Sequence, residues 1–112
     1  MKQSLLASLT VASVLMLASC GSIKIGRILD NPTRYQDRSV SIEGTVTNSF
    51  GAFVAGGYQV QDDTGQILVL ASGSVPRKGV RVKVDGRVQS GVTFMGRSYG
   101  TTIRERDHKV KY

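Results

Sequence analysis

The chain is 112 residues long and carries 15 Lys and Arg against 8 Asp and Glu, a formal charge of +7 at neutral pH. It holds one cysteine and one histidine, so it cannot form an internal disulfide and has too few soft ligands for a Cys/His metal centre. Glycine is abundant at 13 residues, tryptophan is absent, and Val and Thr recur, a profile of strands and tight turns in one small domain.

The chain opens on a short basic start, Met1-Lys2-Gln3, followed by an apolar run from Leu5 to Leu17 that ends in Leu17-Ala18-Ser19-Cys20. A run of about a dozen apolar residues is short for a membrane span and has the three-part layout of a secretory leader. Ala18 and Ser19 are small enough to admit a protease to the backbone, and the Cys20 thiol is a good nucleophile for alkylation. This ending resembles the lipobox of bacterial lipoproteins. The resemblance implies a diacylglyceryl group, often with a further acyl chain such as palmitate, on Cys20, and cleavage just before it. Two acyl chains hold a protein stably on a bilayer, each buried methylene contributing roughly 0.8 kcal/mol. The expected organisation is a removed leader over 1–19, a lipidated cysteine and tether over 20–24, and one domain over 25–112. The expected location is extracytoplasmic, on the cell membrane or the outer membrane. Gly21 and Ser22 carry no acidic retention signal of the enteric type, which favours the outer membrane, on its periplasmic side, where the cell has two.

Ile25, Ile28 and Leu29 have the spacing of one helical turn, which Asn31-Pro32 then stops, since the residue before proline is pushed out of the helical region. From Ser39 the period becomes two: Val40, Ile42, Gly44 and Val46 alternate with polar residues, as in a half-buried strand with a bend at Gly44. Asn48 to Gly57 reads as a loop rich in apolar residues. Tyr58 to Gln61 and Gln66 to Ala71 read as two strands of a hairpin, turned by Asp62-Asp63-Thr64-Gly65. Ser72 to Gly79 reads as a linker. Val80 to Gln89 alternates again, with Val80, Val82, Val84, Gly86 and Val88 inward and Arg81, Lys83, Asp85 and Arg87 outward. Ser90 to Gly100 is punctuated by glycine, Thr101 to Glu105 makes a last strand, and Lys109 to Tyr112 is a basic tail that leaves His108 near a frayed end.

Strands this short, two of them bent at glycine, avoid open edges by curling into a barrel. Three stretches carry a further resemblance: Val40-Ser41-Ile42-Glu43-Gly44-Thr45-Val46, Tyr58 through Ile67 with its Asp62-Asp63-Thr64-Gly65 turn, and Gly79-Val80-Arg81-Val82-Lys83-Val84-Asp85-Gly86-Arg87-Val88. They resemble the oligonucleotide/oligosaccharide-binding (OB) fold of small envelope lipoproteins and of anticodon-binding and single-stranded-DNA-binding modules. The fold class is therefore all-β, a small five-stranded Greek-key barrel. The chain departs from many OB domains between its third and fourth strands, where Ser72 to Gly79 is too short for the usual helix, and a turn must cap that end.

Candidate chemistry is sparse. No nucleophile, paired-carboxylate or phosphate-loop motif is present, so no catalytic residue, metal ligand or cofactor is expected. The resemblance places a ligand across strands two and three, flanked by the loops between strands one and two and between four and five. Those places hold Phe50, Phe53 and Tyr58 on one side and Phe94, Arg97 and Tyr99 on the other, with Arg77, Lys78, Arg81, Lys83 and Arg87 supplying a nonspecific electrostatic field. Phe50, Phe53 and Phe94 have an alternative role as plugs of the barrel end, and Tyr58, alternating with Val60, has the phase of a core residue. Two partner classes follow. A monomeric domain, tied to membrane lipid through Cys20, serves an envelope protein partner or a structural role, or it binds single-stranded nucleic acid or another anionic polymer. An extracytoplasmic address weighs narrowly for the protein partner.

Overall fold

The computed structural model describes residues 21–51, 56–94 and 96–111, with Phe94 described by its backbone alone. Cys20 and Phe53 lie outside the described residues, and with them the lipidation and one of the expected ligand contacts. The elements are α1 (Ile25–Asp30), α2 (Pro32–Tyr35), β1 (Ser39–Phe50), β2 (Gly57–Gln61), β3 (Gln66–Leu70), β4 (Arg81–Phe94) and β5 (Arg97–Lys111). The strands close into a barrel in the order β1-β2-β3-β5-β4. All pairings are antiparallel except β3 with β5. This is the five-stranded OB-type barrel that the resemblance implies.

Closure depends on β1 serving two neighbours. Ser39 to Thr45 pair with β4, and Thr45 to Phe50 pair with β2. The strand bends where the partners change, and Gly44 makes that bend possible, because a Cβ there would collide with the Gln61 carbonyl. Gly86 has the same role under the Arg104 carbonyl, beside a bulge in the β4–β5 ladder. Inside the barrel Val40, Ile42, Val46, Val60, Ile67, Val69, Val82, Val84, Val88 and Ile103 form one buried cluster. Burying such a side chain contributes about 1.5–3 kcal/mol.

The covers of the barrel follow from local chemistry. Ile25 and Ile28, on one face of α1, are completely buried against the core. The β2–β3 turn holds the start of that helix: Ile25 N–H donates to Asp62 Oδ2 at 2.8 Å, and Gly26 N–H donates to Thr64 Oγ1 at 2.8 Å. Asp62 Oδ1 meanwhile accepts from the Thr64 and Gly65 backbone N–H groups, so one carboxylate shapes the turn and caps the helix. Asn31-Pro32 ends α1 as expected, with Pro32 opening α2 at its first position. Between β3 and β4 there is no helix. Pro76 is buried there, its carbonyl accepts from Ser49 Oγ at 2.6 Å, and Gly79 N–H donates to the Val46 carbonyl at 2.7 Å.

Three expectations need correction. Asn48 to Phe50 and Gly57 are not loop: they extend the β1–β2 ladder, past a register shift between Val46 and Asn48. The chain after Glu105 is not a frayed tail: β5 runs on to Lys111, and His108 is paired with Val84 inside a strand. The register slips between Asp85 and Gly86, where β5 contributes Arg106 as an extra residue, so Glu105 and His108 both turn inward although three positions apart. A strict period of two cannot reveal that. Ser90 to Gly100 is also not a loop. Residues 90–94 and 97–101 form a two-stranded arm in which β4 and β5 pair only with each other, with Gly91 at φ 68° and Gly96 at φ 76°.

Candidate functional site

The closed register aligns outward-facing side chains into rungs that cross the strands. One rung runs Phe50 (β1), Gly57 (β2), Leu70 (β3), Arg104 (β5), Arg87 (β4). Its neighbour runs Asn48, Gln59, Leu68, Thr102, Gln89 in the same strand order. With strands about 4.8 Å apart, the first rung covers roughly 19 Å of curved surface. Phe50 and Leu70 are half-buried, Gly57 leaves a low point between them, and Arg87 and Arg104 are exposed. Leu68 and Thr102 are buried despite facing outward, which makes the middle of the second rung firm and flat. The amides are ordered: Gln66 Nε2 donates to Gln59 Oε1 at 2.8 Å, Thr47 Oγ1 donates to Gln66 Oε1 at 3.0 Å, and Arg104 Nε donates to Gln89 Oε1 at 3.3 Å. The face therefore offers an aromatic and aliphatic end, a belt of amides and a cationic end.

The expected ligand residues divide over this surface. Phe50 ends the rung, and exposed Arg77 and Lys78 follow the Pro76 carbonyl that Ser49 holds, which places them beside the end of β1. Arg97 and Tyr99 sit on the arm with the Phe94 backbone. Tyr99 lies five positions before Arg104 on β5, about 17 Å along the strand, so the two groups do not share one pocket. Tyr58 is not a ligand contact. It is completely buried, its hydroxyl donates to Glu105 Oε1, and its ring meets His108 edge-on at 5.8 Å. The reason is its phase: on β2 it faces inward with Val60, and a buried hydroxyl needs an internal acceptor. Arg104 and Leu70 were not singled out as ligand contacts, because only the parallel β3–β5 pairing makes them neighbours, and that pairing joins distant stretches of chain.

Glu105 organises a polar knot beneath this face. One carboxylate oxygen accepts from Tyr58 and lies 2.8 Å from His108 Nδ1, and the other accepts from Ser72 N–H at 3.0 Å and Ser72 Oγ at 2.7 Å. Burial pushes the Glu105 carboxyl up, but the Tyr58 and Ser72 hydrogen bonds and the His108 ring outweigh it and hold the group below the usual carboxylate range. The Tyr58 hydroxyl is pushed far up, by burial first and by the Glu105 carboxylate second. Serine, histidine and carboxylate occur together here, yet Ser72 and His108 both address the carboxylate and not each other. The carboxylate thereby ties the β3–β4 segment to β5 and β2. Among the described residues no group of three His, Cys, Asp or Glu could hold a metal ion. Among them also, no helix is long and apolar enough to cross a membrane.

Comparison with solved structures places the fold beside asparaginyl-tRNA synthetase from Pyrococcus horikoshii, alone and complexed with asparaginyl-adenylate. Each match has a TM-score of 0.55 at 17% identity and covers 69% of this chain. The chain corresponds to only 20% of the synthetase chain, and at this identity the likeness speaks to the fold. No family model matches, and no curated protein matches.

Proposed function

We propose that the protein is a non-catalytic OB-type binding module, tethered outside the cytoplasm through Cys20, that holds an extended anionic polymer across its outer face. The observation that carries this reading is the continuous rung Phe50–Gly57–Leu70–Arg104–Arg87, which sets a stacking group and two guanidinium groups along one track. A polymer with rings and regularly spaced negative charge suits that order, because rings stack on aromatic surface while guanidinium forks take oxyanions. The synthetase neighbours act on a nucleic acid by name, which supports single-stranded nucleic acid as the model ligand. This order reverses the sequence-based preference for a protein partner: no described surface favours a protein, whereas the rung has the chemistry of a polyanion track.

The test is fluorescence anisotropy of labelled oligothymidylate, titrated with the full chain in nonionic detergent at low and moderate salt. Binding should weaken with salt at a logarithmic slope near −0.7 for each phosphate neutralised, hence about −1.4 if both rung arginines engage. Phe50→Ala should cost about tenfold in affinity, the low end for loss of one stacked base. Absence of binding at low salt would reject the reading and return the search to protein partners.

A further inference from the structure

Beyond the rung, the bulge in β5 creates a second feature. A surface cavity of about 270 Å³ is lined by Ser39, Gly86, Arg87, Arg104, Glu105 and Arg106. Arg87 and Arg104 come from facing positions in the β4–β5 ladder, and Arg106 is the extra residue that the register slip inserts just beyond them. Arg106 stands exposed on the same rim as Arg104, two positions before it on β5. Gly86 also lines the cavity, and a Cβ there would strike the Arg104 carbonyl.

Three cations on another flank of the barrel are answered by carboxylates. Arg81 and Lys111 are both drawn to Glu43, at 3.6 and 3.4 Å, and Lys24 to Asp63 at 2.9 Å. Among the described residues, neither Arg87 nor Arg106 forms an ion pair or a side-chain hydrogen bond, and Arg104 meets only the neutral Gln89 amide. The one carboxylate in the lining, Glu105, turns its oxygens inward to Tyr58, Ser72 and His108. The rim thus presents three guanidinium groups and the exposed Ser39. Guanidinium forks match the oxygens of a tetrahedral oxyanion better than any other side chain does.

We propose that this cavity is a phosphate-binding pocket, formed by Arg87, Arg104 and Arg106 with Ser39 as hydroxyl donor, and that it seats a phosphodiester of the bound polymer. The proposal deepens the polymer reading and rests on it for the source of the phosphate. It selects phosphate-bearing polymers over polymers whose charge comes from carboxylates.

The test follows the arginine Nε–H resonances of the full chain in nonionic detergent as inorganic phosphate is added, with sodium chloride at matched ionic strength as control. The Arg87, Arg104 and Arg106 signals should move together and saturate, while those of Arg77 and Arg97 stay with the chloride control. Uniform movement of all arginines, equal in chloride, would overturn the pocket. Arg106→Gln should abolish the phosphate response at Arg87 and Arg104 with the backbone spectrum unchanged, and should weaken oligothymidylate binding by about tenfold, the loss of one charged hydrogen bond. Oligothymidylate that binds equally well to Arg106→Gln would reject the pocket and leave the rung standing. Phosphate displaced by dihexanoyl-phosphatidylglycerol but not by oligothymidylate would assign the pocket to a lipid headgroup and contradict the polymer phosphodiester. Polygalacturonate that binds as tightly as oligothymidylate would contradict the selection for phosphate.

Discussion

Glu105 is nearly buried, its carboxylate takes donors from β2, from the β3–β4 segment and from its own strand, and it is held below the usual carboxylate range. Glutamate in an unfolded chain titrates near 4.3, and the folded value is lower, so the stabilisation is fully present above that pH and is lost as pH falls through the folded value. Asp62 behaves alike: burial pushes it up, but the backbone of Ile25 and the hydroxyl and backbone of Thr64 draw it down further. The melting temperature should therefore be steady from neutral to mildly acid conditions and should fall below about pH 4. Glu105→Gln should cost about 2 kcal/mol at neutral pH, roughly a 10 °C lower melting temperature for a domain of this size, and should flatten the acid decline. A variant as stable as the parent in thermal melts would refute the knot. Asp62→Ala should cost about 1–2 kcal/mol through the lost helix cap, while Asp62→Asn, which can still accept, should retain most of that stability.

The first part of β1 and of β4 was readable from period-two alternation, the β2–β3 hairpin from two strand-like runs about a turn, and Gly44 and Gly86 from their interruption of the inward face. The helix was readable too, because Ile25 and Ile28 share a face and Pro32 sets its end. What escaped were features that depend on more than one strand. The extra residue at Arg106 shifts the phase of β5, so His108 reads as part of a charged tail until β4 is laid beside it. Gly91, Gly96 and Gly100 read as loop because a two-stranded arm needs glycine at its kink and turn. The candidate site suffered most: Phe50 was legible, but Arg104 becomes its neighbour on a rung only through the parallel β3–β5 pairing. The arm itself is separable. Replacing Gly91–Gly100 with a two-residue turn should leave the barrel's melting temperature nearly unchanged, since the arm's strands pair only with each other. Collapse of the thermal transition would show that the arm supports the barrel.

For the whole molecule, the net charge of +7 is not spread evenly in its effect. Glu43 and Asp63 answer three cations on the flank of β1 and the β2–β3 turn, while among the described residues Arg87, Arg104 and Arg106 form no ion pair. A small basic barrel can steer a polyanion by its overall field, whereas the proposed track along the rung would also give the polymer a direction. The most direct measurement compares two charge-matched double variants by oligothymidylate anisotropy across a salt series: Arg87→Gln with Arg104→Gln, and Arg77→Gln with Lys78→Gln. Both remove two charges, yet only the first pair lies on the rung. Loss of at least about tenfold in affinity and a shallower salt slope for the first pair, with less than about a threefold effect for the second, is the predicted result. Equal effects from the two pairs would mean that charge alone attracts the polymer, and would contradict a track laid across the strands.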